Sequence, residues 1–435
     1  MTQRFFMKEY DSFTRNVIVS SNHYHPLPES TFDQLEQFIL SKKQDGAADA
    51  LELMSISSKR GIGKIISAKN YVGLITLRDG TELEILPKVY THDQESSADE
   101  TKRVFLDMLK FLQEIPYKTF HFSHVKLENM NILEIFIRMF IEEVYTLVKR
   151  GLKLDYVPHQ DNEHFLKGKW LFSQHIKSNI AHKERFFIEY DVFSINRTEN
   201  RLIKTTLEAL QRCSSSSKNK KDIRLLLAAF ESVDVSVHPD HDFARVVSDS
   251  SMKEYATIIQ WCSIFLRKQS FTSFSGNGLA YSLLFPMEKV FESYVAGKLS
   301  KALDKSIYRI KTQDRVHHLF DEPKRFLLKP DIVVQRGHSS IVLDTKWKRL
   351  STEQSNYGIS QSDMYQAYAY HQKYGAKTVF LLYPSTGSMG NTTEPFTYRS
   401  KDGVTVRIGF VDLIQIDHSI QQLVQQIHEI MLDTP

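Results

Sequence analysis

Two short apolar runs, residues 329–334 (KPDIVV) and residues 341–346 (IVLDTK), decide the fold of the C-terminal part of this chain. Both runs are rich in Ile and Val, which favour strands. The segment between them is short, and Gly337 and His338 can form a two-residue turn, which would pair the runs as an antiparallel hairpin. The sequence therefore predicts a β-hairpin in this region.

The predicted hairpin brings three charged side chains together at one end. With that turn, Asp331 lies opposite Asp344. Because side chains alternate along a strand, Asp344 and Lys346 project from the same face. Two carboxylates and one ammonium group are therefore expected to be neighbours.

These groups suit metal-assisted hydrolysis of a phosphodiester bond. Mg²⁺ prefers oxygen ligands, which Asp331, Asp344 and the backbone carbonyl of Thr345 could supply, and Mn²⁺ is an alternative ion. The ion would stabilise negative charge on the scissile phosphate and activate water. Lys346 would orient that water or balance the developing charge.

The ordinary explanation is that the two aspartates end strands and Lys346 pairs with one of them. A lone Asp-x-Lys is common and would favour that explanation. Here, however, a Pro-Asp opens one apolar strand and an Asp-x-Lys closes the next, at the separation that a hairpin requires. That combination favours a catalytic site.

Two helices flank the hairpin in the sequence and offer further polar groups. Glu288 and Glu292 lie one helical turn apart, and Glu292 is the preferred additional carboxylate because it follows two apolar residues. Gln366 and Tyr370 share a helix face, so they could reach the DNA backbone or brace the lysine. Exposed helix acids and aromatic core contacts are the alternatives, and Tyr368 is expected to pack in the core.

The whole chain has the pattern of a multidomain protein that mixes α+β and α/β parts. At 435 residues it is too long for one average domain. We predict a β-rich domain over residues 1–100 and a mainly helical region over residues 101–270. A nuclease domain follows over residues 271–435, with a mixed β-sheet flanked by helices.

Local signals place the remaining elements. Residues 71–77 and 82–87 read as a hairpin around an Asp-Gly turn. Residues 133–148 have the apolar spacing of a core helix. The polar residues 94–99 are expected to form a linker, and the Ser- and Lys-rich residues 214–221 a flexible loop.

The composition indicates where the protein is located in the cell and which kinds of partner it can bind. No run of residues is long and apolar enough for a membrane span or a signal peptide, so a cytoplasmic protein with no membrane partner is expected. Residues 301–350 carry twelve Lys and Arg against six Asp and Glu. A local basic excess suits a surface that faces phosphates, although a solvated basic face is the simpler explanation. The proposed phosphate contacts, chosen by proximity to the hairpin, are Lys324, Arg325, Lys329 and Lys348.

At these residues the chain resembles the PD-(D/E)XK nuclease superfamily. The matching residues are Glu292, Pro330-Asp331, Asp344-Thr345-Lys346 and Gln366-x-x-x-Tyr370. The resemblance implies that Asp331, Asp344, Lys346, Glu292 and Gln366 form the catalytic set. It also implies a nuclease core. Tyr370 is counted as a DNA contact because it shares a helix face with Gln366.

More of the chain resembles one family, the McrC component of McrBC 5-methylcytosine restriction systems. The similar segments run from about residue 60 to the C-terminus, and among them are residues 70–75 (NYVGLI), 165–168 (FLKG), 189–193 (EYDVF), 200–204 (NRLIK) and 344–348 (DTKWK). The resemblance implies a subunit that docks through its N-terminal domain, residues 1–100, on a hexameric McrB-type AAA+ GTPase, stimulates the hydrolysis of that partner and cuts DNA. Methylated DNA is the expected substrate. GTP would bind to that partner, because this chain has no phosphate-binding loop of its own.

Two other functions stay open. One is a catalytically inactive nuclease fold that only activates the AAA+ partner, which the intact set of Asp331, Asp344 and Lys346 disfavours. The other is a free-standing DNA repair nuclease. The long non-nuclease portion, residues 1 to about 270, disfavours it, because cutting alone needs only the C-terminal module.

Overall fold

A computed structural model describes residues 3–19, 21–40, 53–77, 79–91, 94–112, 131–246, 253–266, 272–274, 280–385 and 396–432. The chain divides into two compact units. Met1–Glu128 and Ser273–Pro435 together form one, called here the terminal unit, and Asn129–Thr272 form the middle unit. The predicted division into domains at residues 100 and 270 is a different grouping, and it stays a prediction.

The N-terminal part of the terminal unit is β-rich, as its sequence indicates. Its elements are β1 (Arg4–Lys8), β2 (Ser12–Arg15), β3 (Tyr24–Leu27), α1 (Glu29–Leu40), β4 (Met54–Lys59), β5 (Gly63–Ala68), β6 (Tyr71–Leu77), β7 (Glu82–Leu86), β8 (Tyr90–Thr91), β9 (Gln94–Glu95) and α2 (Ala98–Leu109). The predicted hairpin of β6 and β7 is present with antiparallel pairing. The linker expected over residues 94–99 is wrong, because these residues form β9 and then begin α2, where the Ser97 side chain accepts a hydrogen bond from the Glu100 backbone N–H.

The middle unit combines helices with a small sheet. Its elements are α3 (Ile132–Arg150), β10 (Asp155–Glu163), β11 (Lys169–Trp170), α4 (Phe172–Ser178), β12 (Phe186–Ser194), α5 (Thr198–Cys213), α6 (Ser217–Ala229), α7 (Pro239–Arg245) and α8 (Lys253–Leu266). The apolar stripe of α3 is buried, as predicted. The sheet of order β10-β12-β11 was not expected in a mainly helical region.

The loop predicted over residues 214–221 is also different in the structure. Helix α6 already begins at Ser217, and Ser214 is buried. The serines are ordered because they donate hydrogen bonds to the buried carboxylate of Glu134 from α3. The serine hydroxyls therefore bind a buried carboxylate of the same unit.

The C-terminal part of the terminal unit contains the predicted hairpin. Its elements are β13 (Thr272–Phe274), β14 (Ala280–Pro286), α9 (Met287–Ala302), β15 (Arg309–Thr312), β16 (His318–Asp321), β17 (Lys324–Leu327), β18 (Ile332–Arg336), β19 (Ser339–Thr345), α10 (Gln361–Tyr374), β20 (Ala376–Pro384), β21 (Phe396–Arg399), β22 (Thr405–Val411) and α11 (Ile416–Leu432). Strands β18 and β19 pair antiparallel with Arg336 opposite Ser339, so the turn is the predicted Gly337-His338.

A mixed six-stranded sheet of order β15-β18-β19-β20-β22-β21 forms the centre of this part. Its β19, β20 and β22 run parallel, and the hairpin pairs are antiparallel. Val333, Val342, Leu381 and Ile408 are all fully buried in one cluster. Strand β17, which precedes the hairpin, is not part of this sheet and pairs with β16 alone among the described residues.

The N-terminal and C-terminal parts of the terminal unit share a second sheet, of order β1-β7-β6-β14-β13. Strand β14 pairs antiparallel with β6 and leads directly into α9. At the close approach between them, a Cβ on Gly73 would lie 1.9 Å from the Leu283 carbonyl oxygen, so only glycine fits. Among the described residues, no helix is both long and apolar enough to cross a membrane.

Candidate active site

The end of the β18–β19 hairpin holds the two predicted aspartates. The last paired residues are Ile332 and Leu343, and Asp331 and Asp344 are their immediate neighbours along the two strands. The Asp331 Oδ2 accepts hydrogen bonds from the Thr345 backbone N–H at 2.7 Å and from the Thr345 hydroxyl at 2.6 Å. The predicted opposition of the two acids therefore agrees with the register of the hairpin.

Lys346 lies beside these acids, on the face that strand alternation predicts. Its Nζ is 2.7 Å from the Asp344 Oδ2, and Asp344 is only 2% exposed. That buried oxygen has no well-aligned hydrogen-bond donor among the described residues, so the contact with Lys346 is an ion pair with poor hydrogen-bond alignment. Asp344 is thus buried with one cation and little other support.

Helix α10 holds the lysine from the other side. Lys346 Nζ donates to the Gln366 Oε1 at 2.9 Å and lies 3.8 Å from the Asp363 Oδ1. The Gln366 Nε2 in turn donates to the Tyr370 hydroxyl at 2.8 Å. Of the two roles considered for Gln366, bracing the lysine matches this geometry.

The aromatic residues of α10 are arranged differently from the prediction. Tyr370, offered as a DNA contact, is 2% exposed and belongs to the core under the helix. Tyr368, expected in the core, is 43% exposed, and its hydroxyl donates to Asp402. The helix turns by about 200° over two residues, so the two tyrosines face opposite ways.

Glu292 joins the site through a residue that the sequence analysis missed. The Gln313 Nε2 donates to the Glu292 Oε1 and lies 3.4 Å from the Asp331 Oδ1. Gln313 has a positive φ of 51° and is held by its backbone N–H, which donates to the Asp331 carbonyl at 2.9 Å. Glu288, the alternative acid, is exposed. The preference for Glu292 therefore agrees with its position.

The three acids disfavour one another's charged forms. Burial raises the pKa of Glu292 to about 7, and the charge of Asp331 adds to that shift. Burial and the charge of Asp331 likewise raise the pKa of Asp344 to about 7, and burial raises the pKa of Asp331. Burial by itself would lower the pKa of Lys346, but the neighbouring carboxylates of Asp344, Asp363 and Asp331 together outweigh it, and the net shift of the pKa is upward. One ammonium therefore faces more carboxylate charge than it can neutralise.

This donor set fits a hard divalent cation. In the described part of the chain, no three or more His, Cys, Asp or Glu side chains are arranged as a complete metal-binding cluster. Mg²⁺ commonly takes one or two carboxylates and completes its shell with water and phosphate oxygens, so two aspartates suffice. Asp331 and Asp344 are the residues that would hold it, and a ligand role for the Thr345 carbonyl stays a prediction.

The proposed phosphate contacts are spread over the surface near the hairpin. Lys324 and Arg325 lie on β17, and Lys329 precedes the Pro-Asp; all three are exposed. The Lys348 Nζ donates to the Asp363 Oδ2 at 2.8 Å, so that side chain is already paired within the chain.

The chain beyond Lys346 is anchored by a distant residue. The Trp347 Nε1 donates to the Glu9 Oε2 at 2.8 Å, and the Trp347 ring packs on Phe291 with ring centroids 5.4 Å apart. Glu9 is 1% exposed and also accepts from the Lys88 backbone N–H at 2.8 Å. This contact fixes the strand end that carries the lysine, and nothing local in the sequence indicates it.

Comparison with solved structures supports the fold. A chain in the Thermococcus gammatolerans half-complex from a tetradecameric assembly of McrB AAA+ hexamers with bound McrC aligns with a TM-score of 0.71. The two are 19% identical, and the alignment covers 98% of this chain and 100% of that one. A chain in the cryo-EM structure of the Thermococcus gammatolerans McrBC complex aligns with a TM-score of 0.49 and 20% identity, over 70% of this chain and 89% of that one.

Comparison with the curated proteins gives no significant match. A family model does match, over residues 66–384, and it describes the McrBC 5-methylcytosine restriction system component. That span is most of the chain and includes the hairpin with Asp331, Asp344 and Lys346. The resemblance to the McrBC restriction systems is confirmed, and this chain belongs to the McrBC 5-methylcytosine restriction system component family.

Proposed function

We propose that this chain is the Mg²⁺-dependent DNA endonuclease subunit of a modification-dependent restriction system, with a PD-(D/E)XK core. The observation that carries the proposal is the convergence of Asp331, Asp344 and a braced Lys346 at one end of the β18–β19 hairpin. A buried group of acids with raised pKa values and a partly buried lysine is costly for the fold, and such groups cluster at functional sites.

Each residue has a task in phosphodiester hydrolysis. Mg²⁺, or Mn²⁺ in its place, supplies when bound the positive charge that stabilises the phosphate and activates water. Asp331 is oriented by the two hydrogen bonds from Thr345, so its other oxygen faces away from them. Lys346, held between Asp344 and Gln366, directs its charge to the attacking water or the phosphate. Glu292, held by Gln313, can accept a proton or add an oxygen ligand.

We further propose that cutting depends on a hexameric McrB-type AAA+ GTPase that binds GTP and recognises methylated DNA. Support comes from the family to which the chain belongs and from its similarity in fold to a chain found with McrB AAA+ hexamers. In this proposal the N-terminal region docks on the partner and stimulates its hydrolysis. The complex would act in the cytoplasm, where incoming DNA is met.

The test combines the full chain with its AAA+ partner, sought among the neighbouring genes. Wild type and Asp344→Ala are incubated with methylated or unmethylated plasmid, Mg²⁺ and either GTP or ATP. We expect double-strand cuts with wild type only, while both proteins stimulate nucleotide hydrolysis. If neither protein cuts and both stimulate hydrolysis, the chain is an inactive adaptor. Cutting without the partner would point to a free-standing repair nuclease.

A further inference from the structure

A two-stranded ribbon, residues 318–327, extends from the candidate site. It consists of β16 and β17, which pair with each other and with no other strand in the described residues. The ribbon is inserted between β15, which ends at Thr312, and its neighbour β18, which begins at Ile332. Gln313 follows the first of these strands and Asp331 precedes the second, and the two are joined by a backbone hydrogen bond. It therefore begins and ends beside the residues that hold the carboxylates.

The ribbon presents large apolar side chains to solvent. Phe320 is 56% exposed and Phe326 is 71% exposed, and their rings meet edge to face with centroids 5.9 Å apart. Phe326 has a φ of 58°, a conformation that is unfavourable for a bulky residue. Backbone strain of this kind is characteristic of functional segments. An exposed phenylalanine pair on a thin ribbon contributes little to a core.

Positive charge accompanies the two rings. Lys324 and Arg325 are exposed on β17, and neither pairs with a carboxylate in the part of the chain that the structure describes. Asp321 pairs with Lys373 at 2.7 Å, and Glu322, in the turn of the ribbon, is exposed. Beside its two rings the ribbon therefore carries two cations that have no carboxylate partner among the described residues, and one exposed acid.

The ribbon is also held in a fixed direction. The pair of Lys373 and Asp321 ties it to α10, the helix that carries Gln366. The His317 ring packs against the Tyr374 ring at the end of that helix, with centroids 4.5 Å apart. An isolated two-stranded ribbon is marginally stable, so these contacts explain how it keeps its place beside the site.

We propose that this ribbon lies in a groove of duplex DNA next to the scissile phosphate. In this arrangement Phe320 and Phe326 contact the bases, and Lys324 and Arg325 contact the phosphates. A two-stranded ribbon has the width that the major groove admits, and phenylalanine side chains there can contact the methyl group of thymine. The proposal rests on the proposed nuclease function, because it takes DNA as the substrate of the adjoining site.

The test measures binding of a fluorescein-labelled 30-base-pair duplex to the full chain by anisotropy, without divalent ions, over a range of salt concentrations. Lys324→Ala/Arg325→Ala should weaken binding at least about tenfold at 0.1 M salt and reduce the salt slope by about two, because two phosphate contacts are lost. Phe320→Ala/Phe326→Ala should weaken binding about tenfold with an unchanged slope. The matched controls are Lys401→Ala, in an exposed turn of the same unit, and Leu432→Ala at the exposed end of α11.

Two results would overturn the ribbon's role. One is ribbon variants that fold and bind the duplex like the controls, and the other is a wild-type chain that binds no duplex even at 0.05 M salt. Loss of self-association or of AAA+ partner binding, with duplex binding intact, would make the ribbon a protein interface and would also overturn it. The two proposals fail separately. A wild-type chain that binds the duplex through the ribbon but does not cut with the partner contradicts the nuclease function alone, and a chain that cuts while its ribbon variants bind like the controls contradicts the ribbon's role alone.

Discussion

Glu134 in the middle unit and Asp344 in the terminal unit are both 2% exposed acids, yet their surroundings differ. Glu134 accepts five hydrogen bonds from Ser214, Ser215, Ser216 and Asn219, at the turn that begins α6. Asp344 has one cation, a neighbouring acid and a raised pKa. A buried acid whose hydrogen bonds are all satisfied within the chain stabilises the fold, whereas one that lacks such partners is available to bind a cation, as proposed for Asp344.

The largest expected effect tests whether Asp344, the acid without a well-aligned hydrogen-bond donor among the described residues, serves cleavage and not stability. Asp344→Asn should reduce DNA cleavage by about a thousandfold or more, since the electrostatic contribution of such a group is large. The unfolding free energy should change little, because Lys346 keeps Gln366 and Asp363 as partners. Plasmid cleavage with the partner and urea denaturation measure the two effects. Glu353→Gln, which alters an exposed acid in the same unit, is the control.

For Glu134, the acid with five hydrogen bonds, the comparison predicts a loss of stability on substitution. Glu134→Ala leaves the buried donors of Ser214 and Asn219 without an acceptor, so the chain should lose about 3 kcal/mol of unfolding free energy. Glu142→Ala on the same helix removes a partly exposed ion pair with Arg138 and should cost less than about 1 kcal/mol. Urea denaturation compares them. Equal stability of the two variants would contradict the structural role of Glu134.

Glu9 is an intermediate case, with two hydrogen-bond donors and a pKa that burial raises to about 7. The folded state therefore holds a proton that the unfolded state releases near pH 4.5, so stability falls as the pH rises from about 4.5 to 7. Wild type should lose up to about 3 kcal/mol relative to Glu9→Gln over that range. Thermal unfolding at several pH values measures the difference, and parallel curves for the two proteins would exclude this role.

The smallest effect concerns the bracing of the lysine. Gln366→Ala removes a hydrogen bond to a charged group and should lower cleavage about 10- to 100-fold, because Lys346 then has more freedom. Gln372→Ala, an exposed residue of the same helix, should cut at the wild-type rate. Initial cleavage rates at saturating partner are the measurement. An equal loss of cleavage in both variants would show that any change in the helix lowers the rate, and that the hydrogen bond between Lys346 and Gln366 is not the cause.

The sequence was sufficient where the interacting residues are close along the chain. The β18–β19 hairpin is local, so its turn, its register and the meeting of Asp344 with Lys346 could be predicted. Gln313 could not be, because it reaches Glu292 and Asp331 only after β15 has joined the sheet. Glu9 is 338 residues from Trp347, and no local pattern announces that contact.

The missed sheet of the middle unit has another cause. Strand β10 (DYVPHQDNE) is polar and mostly exposed, so it lacks the alternation of apolar and polar residues by which a half-buried strand is recognised. The prediction of a flexible loop at the serine-rich residues 214–217 was wrong for a related reason. Their composition is that of a solvated loop, but the acid that orders them lies about 80 residues earlier, on α3.

The sheet shared by the N-terminal and C-terminal parts of the terminal unit affects how the chain folds during synthesis. Strand β6 pairs with β14, which leaves the ribosome about two hundred residues later. At typical elongation rates of roughly 5–20 residues per second, β6 waits about 10–40 s with one edge uncovered. Helix α9, with Glu292, follows β14 directly. The C-terminal part of the terminal unit is therefore added to a β-sheet that is completed only when β14 is synthesised.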